Sequence, residues 1–165
     1  MDQKKFTELP ALSETLIELN SLDGHSRVLE LDELWSFVLK KARKRWIWIA
    51  LCRRTRQVVA YAIGDHSKAA CRKLWEAIPS AYQTADCYSD FWKAYSAVIP
   101  AEHHTAVGIR SGRTAHVERW NNTLRQRLGR FVRSTLSFSK SSLMHEACLR
   151  LFLHRYNHHR ALMLS

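Results

Sequence analysis

Residues 27–39 read RVLELDELWSFVL, and the fold turns on that stretch. Val28, Leu34, Trp35, Phe37 and Val38 supply the β-branched and aromatic content of a strand, while Glu30, Asp32 and Glu33 interrupt it. An acid in such a strand is expensive to bury alone, so Asp32 calls for a partner or a metal. Working outward, WIWIAL at 46–51 is continuous and apolar, as in a strand covered on both faces. QVVAYAI at 57–63 is the next strand, across the polar turn Arg53-Arg54-Thr55-Arg56. Three strands joined by short connections make an antiparallel meander.

Beyond Gly64 the periodicity changes. Asp65 is a good N-cap for a helix over 66–78, where Ala70, Leu74, Trp75 and Ile78 recur at helical spacing before Pro79. The pattern then predicts a fourth strand at 82–88, a short helix at 91–98 and a fifth strand at 103–107. A long helix at about 114–128, a Ser-rich link (STLSFSKSS) and a final amphipathic helix over 142–160 complete the chain. The order β-β-β-α-β-α-β-α with an added helix indicates an α/β fold: a mixed five-stranded sheet flanked by helices, with an extra C-terminal helix. Residues 1–26 read as a lead segment or linker, and 27–165 as the single functional domain.

A chain of 165 residues is one ordinary domain. It carries 26 Lys and Arg against 15 Asp and Glu, a formal charge of +11, yet 46% of it is apolar. It is therefore a globular chain with a strong positive field rather than a disordered polycation. No run reaches the roughly 18 apolar residues of a membrane span, and the opening residues lack the apolar stretch of a secretory signal. Cys52, Cys71, Cys87 and Cys148 form no CxxC pair, which argues against a zinc ribbon or disulfide framework and fits a reduced, cytoplasmic setting.

The charge is laid out unevenly. Residues 1–30 are net acidic, whereas Lys40, Lys41, Arg43, Lys44, Arg45, Arg53, Arg54 and Arg56 form a block with no acid. A second block, Arg113, Arg119, Arg125, Arg127, Arg130 and Arg133, contains one acid, Glu118. Both blocks are interleaved with Trp46, Trp48, Trp120 and Phe131, a pattern expected of phosphate-backbone binding that does not separate DNA from RNA.

Three acids sit where the elements would present them to one site. Asp32 lies inside the first strand. Asp90 follows the fourth, and ligand sites gather at the carboxyl ends of strands in α/β sheets; Asp86, four residues earlier, competes for that role. Glu118 lies on the long helix beside the apolar stripe Val117, Trp120, Leu124 and Leu128, on the same side as Asn121 and Arg125. Carboxylates crowded together need a neutralising charge, and a pair of hard dications such as Mg2+ or Mn2+ supplies it and suits in-line phosphoryl displacement. Each acid also has a plainer reading: strand-edge solvation for Asp32, helix capping for Asp90, and a dipole-favoured first-turn position for Glu118.

LDELWSFV (31–38), YSDFWKAY (88–95) and HVERWNNTLRQRLGR (116–130) with STLSFSKSS (134–142) resemble the catalytic half of insertion sequence one (IS-one) type transposases, over roughly residues 28–160. The resemblance implies a ribonuclease-H-like fold with a DDE triad of Asp32, Asp90 and Glu118, both catalytic and metal-binding, with two Mg2+ or Mn2+ ions. It implies cleavage of element ends and joining of the 3′ hydroxyl to target DNA. Asn121 matches the polar residue after the Glu, and Arg125 the basic position one turn on. Lys41, Arg43, Lys44, Arg45, Arg53, Arg54, Arg113, Arg119, Arg127, Arg130 and Arg133 are the further DNA-binding candidates. The 28 residues from Asp90 to Glu118 are fewer than in integrase-like members of the wider superfamily, as is usual for this type. The expected partners are double-stranded DNA, further copies of the chain on that DNA, and an upstream-frame zinc-finger and helix-turn-helix product; the expected location is the cytoplasm, at the nucleoid. A non-catalytic DNA-binding product that regulates a full-length transposase is the alternative.

His154 and His158, four apart, are expected at the surface or facing DNA rather than on zinc. His103 and His104 open the fifth strand, and His116 can approach the site from the first turn of its helix. The cysteines read as core residues. Trp92 and Trp120 are candidates to stack on a nucleotide.

Overall fold

The computed structural model describes residues 9–18 and 27–164. At its centre is β1 (Val28–Phe37), in a five-stranded sheet of order β3-β2-β1-β4-β5. β2 (Lys44–Cys52) and β3 (Val58–Gly64) extend the sheet antiparallel on one side of β1, and β4 (Asp86–Ser89) and β5 (His104–Ala106) extend it parallel on the other. Among the described residues the α-helices are α1 (Lys68–Ala77) after β3, α2 (Lys93–Val98) after β4, and α3 (Ala115–Arg127) and α4 (Ser142–Leu164) after β5. The mixed five-stranded sheet with flanking helices and an extra C-terminal helix is the architecture expected from the order of elements, and it is consistent with the ribonuclease-H-like fold that the resemblance implies.

Alternation along β1 sorts its side chains between two cores. Leu29 and Leu31 face Ala70, Cys71 and Leu74 of α1 and Ala94 and Tyr95 of α2. Leu34 faces Val117, Trp120 and Leu124 of α3 and Leu149 and Leu153 of α4. Glu30 and Asp32 share the α3 side by the same alternation. β2 serves both cores, which is why its apolar run is continuous: Trp48 and Ala50 join the first core, Ile47, Ile49 and Leu51 the second.

The boundaries differ where polar chemistry overrides pattern. The N-cap of α1 is Ser67, whose Oγ accepts from Ala70 N, while Asp65 accepts a hydrogen bond from the Ser67 hydroxyl instead of capping the helix itself. Residues 80–82 form a 3-10 turn, so β4 begins only at Asp86. The helix expected from residue 91 starts at Lys93, because Asp90 Oδ1 takes the Trp92 amide and turns the chain first. The Ser-rich link docks on the end of β1: Leu39 N donates to Ser139 O, and the Phe37 and Phe138 rings lie 5.5 Å apart.

Of the lead segment, residues 1–8 and 19–26 lie outside the described residues, while Leu12–Thr15 form a 3-10 turn. That turn is tied down by buried Asn157 of α4, whose side chain bonds both Thr15 Oγ1 and the backbone of Val58. Cys52, Cys71 and Cys87 are buried free thiols; burial pushes Cys71 and Cys87 up to about 12, so they are core residues and not nucleophiles. Among the described residues, no helix is long and apolar enough to cross a membrane.

Candidate active site

β1 and β4 lie side by side, paired at Val28–Asp86, Leu29–Cys87 and Glu30–Tyr88. In that register Asp90, just past the end of β4, falls level with Asp32, which lies in mid-strand on β1 and is paired with Ile49 of β2 on its other side. Glu118 comes from α3, in the first turn, where Thr114 Oγ1 donates to its Oε1 at 2.7 Å. Asp32 is raised to about 7, first by burial, then by Glu33, with further contributions from Asp90 and Glu118. Asp86 is exposed at the start of β4, and its charge bears on Cys87.

The bond that joins helix to strand is Asn121 Nδ2 donating to Asp32 Oδ2 at 2.7 Å. Asp32 Oδ1 takes the Glu33 amide at 2.9 Å. Asn121 is buried, and its Oδ1 has no partner. Arg125, two turns beyond Glu118, senses the Asp32 charge; burial, then Arg133, lower its pKa, and its Nε is buried without a partner.

Hard cations take oxygen ligands, and the donor set here is three carboxylates plus an orphaned amide oxygen. That chemistry fits a divalent ion, which would offset the like charge that Asp90 and Glu118 add to Asp32 after burial and Glu33. Among the described residues, no three His, Cys, Asp or Glu side chains are drawn round one point into a ready metal cage. The set fits by chemistry and is not closed.

Glu30 is the functional neighbour that sequence reading passed over. It is fully buried, two residues before Asp32 and on the same face. Its Oε2 accepts from the backbone N–H groups of His116 (2.9 Å) and Val117 (3.1 Å), and its Oε1 bonds His116 Nδ1 and Arg53 Nε, each at 2.7 Å. A carboxylate from β1 thus satisfies the open amides at the start of α3 and sets the height of Glu118 above the sheet. Burial pushes Glu30 up, but the bonds from His116, Arg53 and Val117 outweigh it and hold its pKa below 4.5. The signal was present as an acid in an apolar strand, but nothing local named its partners.

On the opposite face, Glu33 bonds His66 Nε2 at 2.9 Å and Tyr95 Oη at 2.5 Å. His66 is sandwiched between Trp46 (3.9 Å, 11°) and Trp92 (4.3 Å, 6°). Trp92 is 38% exposed, and neighbouring Phe91 is 71% exposed. Trp120 differs from its expected role: it is 2% exposed and packed edge-on against Phe152 and Tyr156, so no base can stack on it.

The two basic blocks meet at two aromatic rings. Lys44 and Arg133 lie over Trp35 at 4.9 and 5.2 Å, and Arg53 and Arg113 lie over Tyr88 at 4.8 and 5.2 Å. Trp35 lies three residues past Asp32 and Tyr88 two before Asp90. Lys41, Arg43, Arg45, Arg54, Arg119 and Arg127 are exposed and Arg130 is half-buried; Arg45 reaches Ser142 Oγ at 3.0 Å. Arg53 is held inward by Glu30 and by the Arg113 carbonyl.

The histidines divide. His104 bonds Ser89 Oγ at 2.8 Å from β5, whereas His103 lies in the preceding 3-10 turn. His158 is exposed as expected, but His154 is buried, which overturns its surface assignment.

A family profile described as IS1 transposase matches residues 27–159. The insertion element iso-IS1n protein InsB of Shigella dysenteriae is 36% identical over 129 residues, 78% of this chain and 95% of that protein. The insertion element IS1 protein InsB of Shigella flexneri is 35% identical over 124 residues, 75% of this chain and 92% of that protein. The insertion element IS1 9 protein InsB of Escherichia coli K12 is 30% identical over 153 residues, 92% and 89% of the two chains. The profile spans the sheet, all three carboxylates and most of α4, and the chain belongs to the IS1 transposase family.

Proposed function

We propose that the chain is the catalytic unit of an insertion element's transposase, cleaving 3′ ends and joining them to target DNA at Asp32, Asp90 and Glu118. The observation that carries this reading is the bond from Asn121 of α3 to Asp32 of the central strand at 2.7 Å, which sets the helix bearing Glu118 against that strand, beside β4 and the Asp90 that follows it. Two divalent ions, when bound, would activate the attacking oxygen and stabilise the leaving one. Asp32, Asp90 and Glu118 would hold them, with Asn121 orienting Asp32 through its amide and offering its carbonyl oxygen.

The remaining chemistry belongs to side chains. Glu30 fixes the start of α3, so Glu118 stays over the sheet. Arg125 steadies Asp32 or a neighbouring DNA phosphate. The cations over Trp35 and Tyr88 are proposed to hold the DNA backbone on either side of the carboxylates, their guanidinium and ammonium groups kept in place by the rings beneath. Trp92, half exposed beside Asp90, offers a face to the nucleotide at the cut.

The test is strand transfer on a matched terminal repeat with Mg2+ or Mn2+. Asp32→Asn and Glu118→Gln are expected to abolish cleaved and joined product while leaving duplex binding in place. Wild-type rates in either variant sink the assignment. Salt-sensitive DNA binding with no metal-dependent product in the wild type favours a non-catalytic regulator instead.

A further inference from the structure

Asp90 stands in the gap between β4 and α2. The last ladder residue of β4 is Ser89, paired with Ala106, and the helix begins only at Lys93. The carboxylate is therefore aimed by the turn at 90–92 rather than by the sheet. Ser89 Oγ donates to the Asp90 carbonyl at 2.8 Å, and Asp90 Oδ1 takes the Trp92 amide at 2.9 Å. The second bond sets the direction of the carboxyl group, and it lasts only while Trp92 stays in place.

Trp92 is held by its ring. His66, in the loop between β3 and α1, lies between Trp46 and Trp92, with ring centroids 3.9 and 4.3 Å away and planes within 11° and 6° of parallel. The column joins three parts of the chain: Trp46 belongs to β2, His66 follows β3, and Trp92 precedes α2. An aliphatic side chain would fill the space between the indoles, whereas a ring also sets their spacing and tilt.

His66 is itself fixed. Its Nε2 donates to Glu33 Oε1 at 2.9 Å, and Tyr95 Oη donates to the other oxygen at 2.5 Å. Trp92 and Tyr95 lie three residues apart at the start of α2, so Glu33 anchors that turn twice, directly at Tyr95 and through the His66 ring at Trp92. The loop is tied as well: Trp48 Nε1 donates to the Asp65 carbonyl at 3.0 Å, and Ser67 caps α1 just after His66. The His66 hydrogen bond goes to Glu33 and its faces to the two indoles, so its path to Asp90 runs through Trp92.

We infer that His66 is a positioning residue for Asp90: anchored by Glu33 between Trp46 and Trp92, it keeps the Trp92 amide on Asp90 Oδ1 and so aims the carboxylate. That the aimed carboxylate takes a dication rests on the function proposed above; the clamp itself does not.

The test uses the full chain, first without metal and then with it. In 15N-labelled protein the nitrogen shift of the Trp92 backbone amide is followed, with Asp90→Ala giving its value when the bond is absent. His66→Ala and His66→Gln are expected to move it toward that value; glutamine keeps a donor for Glu33 but has no ring. His66→Phe keeps the sandwich and is expected to leave the amide near its wild-type value. An unmoved amide in His66→Ala or His66→Gln overturns the clamp, and so does a phenylalanine variant that moves as far as they do.

Mn2+ affinity is then read from the loss of the free-ion electron paramagnetic resonance signal in His66→Ala, Asp90→Ala and the double variant. His66→Ala is expected to weaken Mn2+ binding by about tenfold, as loss of a group that orients a ligating side chain does. In the Asp90→Ala background it should weaken binding no further, because the effect passes through Asp90. Equal losses in both backgrounds overturn the positioning role. If His66→Ala does not fold, His66→Gln takes its place in both measurements. A wild-type chain that binds no Mn2+ sinks the proposed function while the amide shift still decides the clamp, so the two readings fail separately.

Discussion

Asn121 on α3 donates to Asp32 on β1 at 2.7 Å, joining positions 89 residues apart in the chain. The bond makes the helix answer to the carboxylate and not only to the apolar stripe beneath it. It also leaves Asn121 Oδ1 buried and unpartnered beside the acids.

Removing that amide should cost chemistry more than folding. Asn121→Ala is expected to lower the strand-transfer rate about 10- to 100-fold, the usual effect of losing a group that orients a ligating side chain. The thermal midpoint should fall by an amount matching about 1–2 kcal/mol. Rate and midpoint measured on the same preparation check both.

Glu30 is a stability residue with a pH signature. Glu30→Gln weakens two charge-assisted bonds and the carboxylate cap on α3, and is expected to cost about 2–3 kcal/mol in urea unfolding at pH 7. The folded pKa lies below 4.5. A depressed acid contributes stability above its unfolded value and loses it as pH falls through the folded value. The gap between wild type and Glu30→Gln should therefore shrink below about pH 4.5.

Asp32 carries the opposite sign. Its folded pKa, about 7, stands above the ordinary 3.8, so the metal-free fold is penalised increasingly as pH rises from 3.8 to about 7. Asp32→Asn should match the wild type in stability near pH 3.5 and exceed it at pH 8 without divalent ions. Saturating Mg2+ should close the gap at pH 8 by stabilising the wild type alone. Melting curves at the two pH values, with and without Mg2+, check the signs.

The ring stack tests position without charge. Trp92 covers His66 at 4.3 Å, and its amide bonds Asp90 at 2.9 Å. Trp92→Ala is expected to lower strand transfer by about tenfold through a displaced Asp90 turn. The salt slope of duplex binding should not change, since no cation is removed.

The fold was legible because its signals are local. The continuous run 46–51, the stripe on the long helix and the stops at Pro79 and Pro100 each depend on neighbours in sequence. The positions of Asp90 just past β4 and of Glu118 in the first turn of α3 were legible for the same reason, while their chemistry stays the proposal made above. What escaped depended on partners far along the chain. Glu30 reads as a flaw in a strand until α3 is seen docked on it 86 residues later. Asn157 reads as a polar residue on an amphipathic helix until it is found binding Thr15 and Val58. Trp120 lies next to site residues in sequence, but one step round a helix turns a side chain by about 100°, which carries its ring into the core. Asp65 has the residue type of a cap, but Ser67, two residues later, has the better reach to Ala70 N.

The central claim is that Asp32, Asp90 and Glu118 act as one ligand set for hard dications. Anomalous diffraction from Mn2+-soaked crystals of the wild-type chain tests it most directly. The expected result is manganese density bonded to an Asp32 carboxylate oxygen at about 2.1 Å, with Asp90 and Glu118 drawn in to share the ions. Manganese bound elsewhere, or an ordered site at full Mn2+ loading in which the three carboxylates stay apart and unligated, would contradict it.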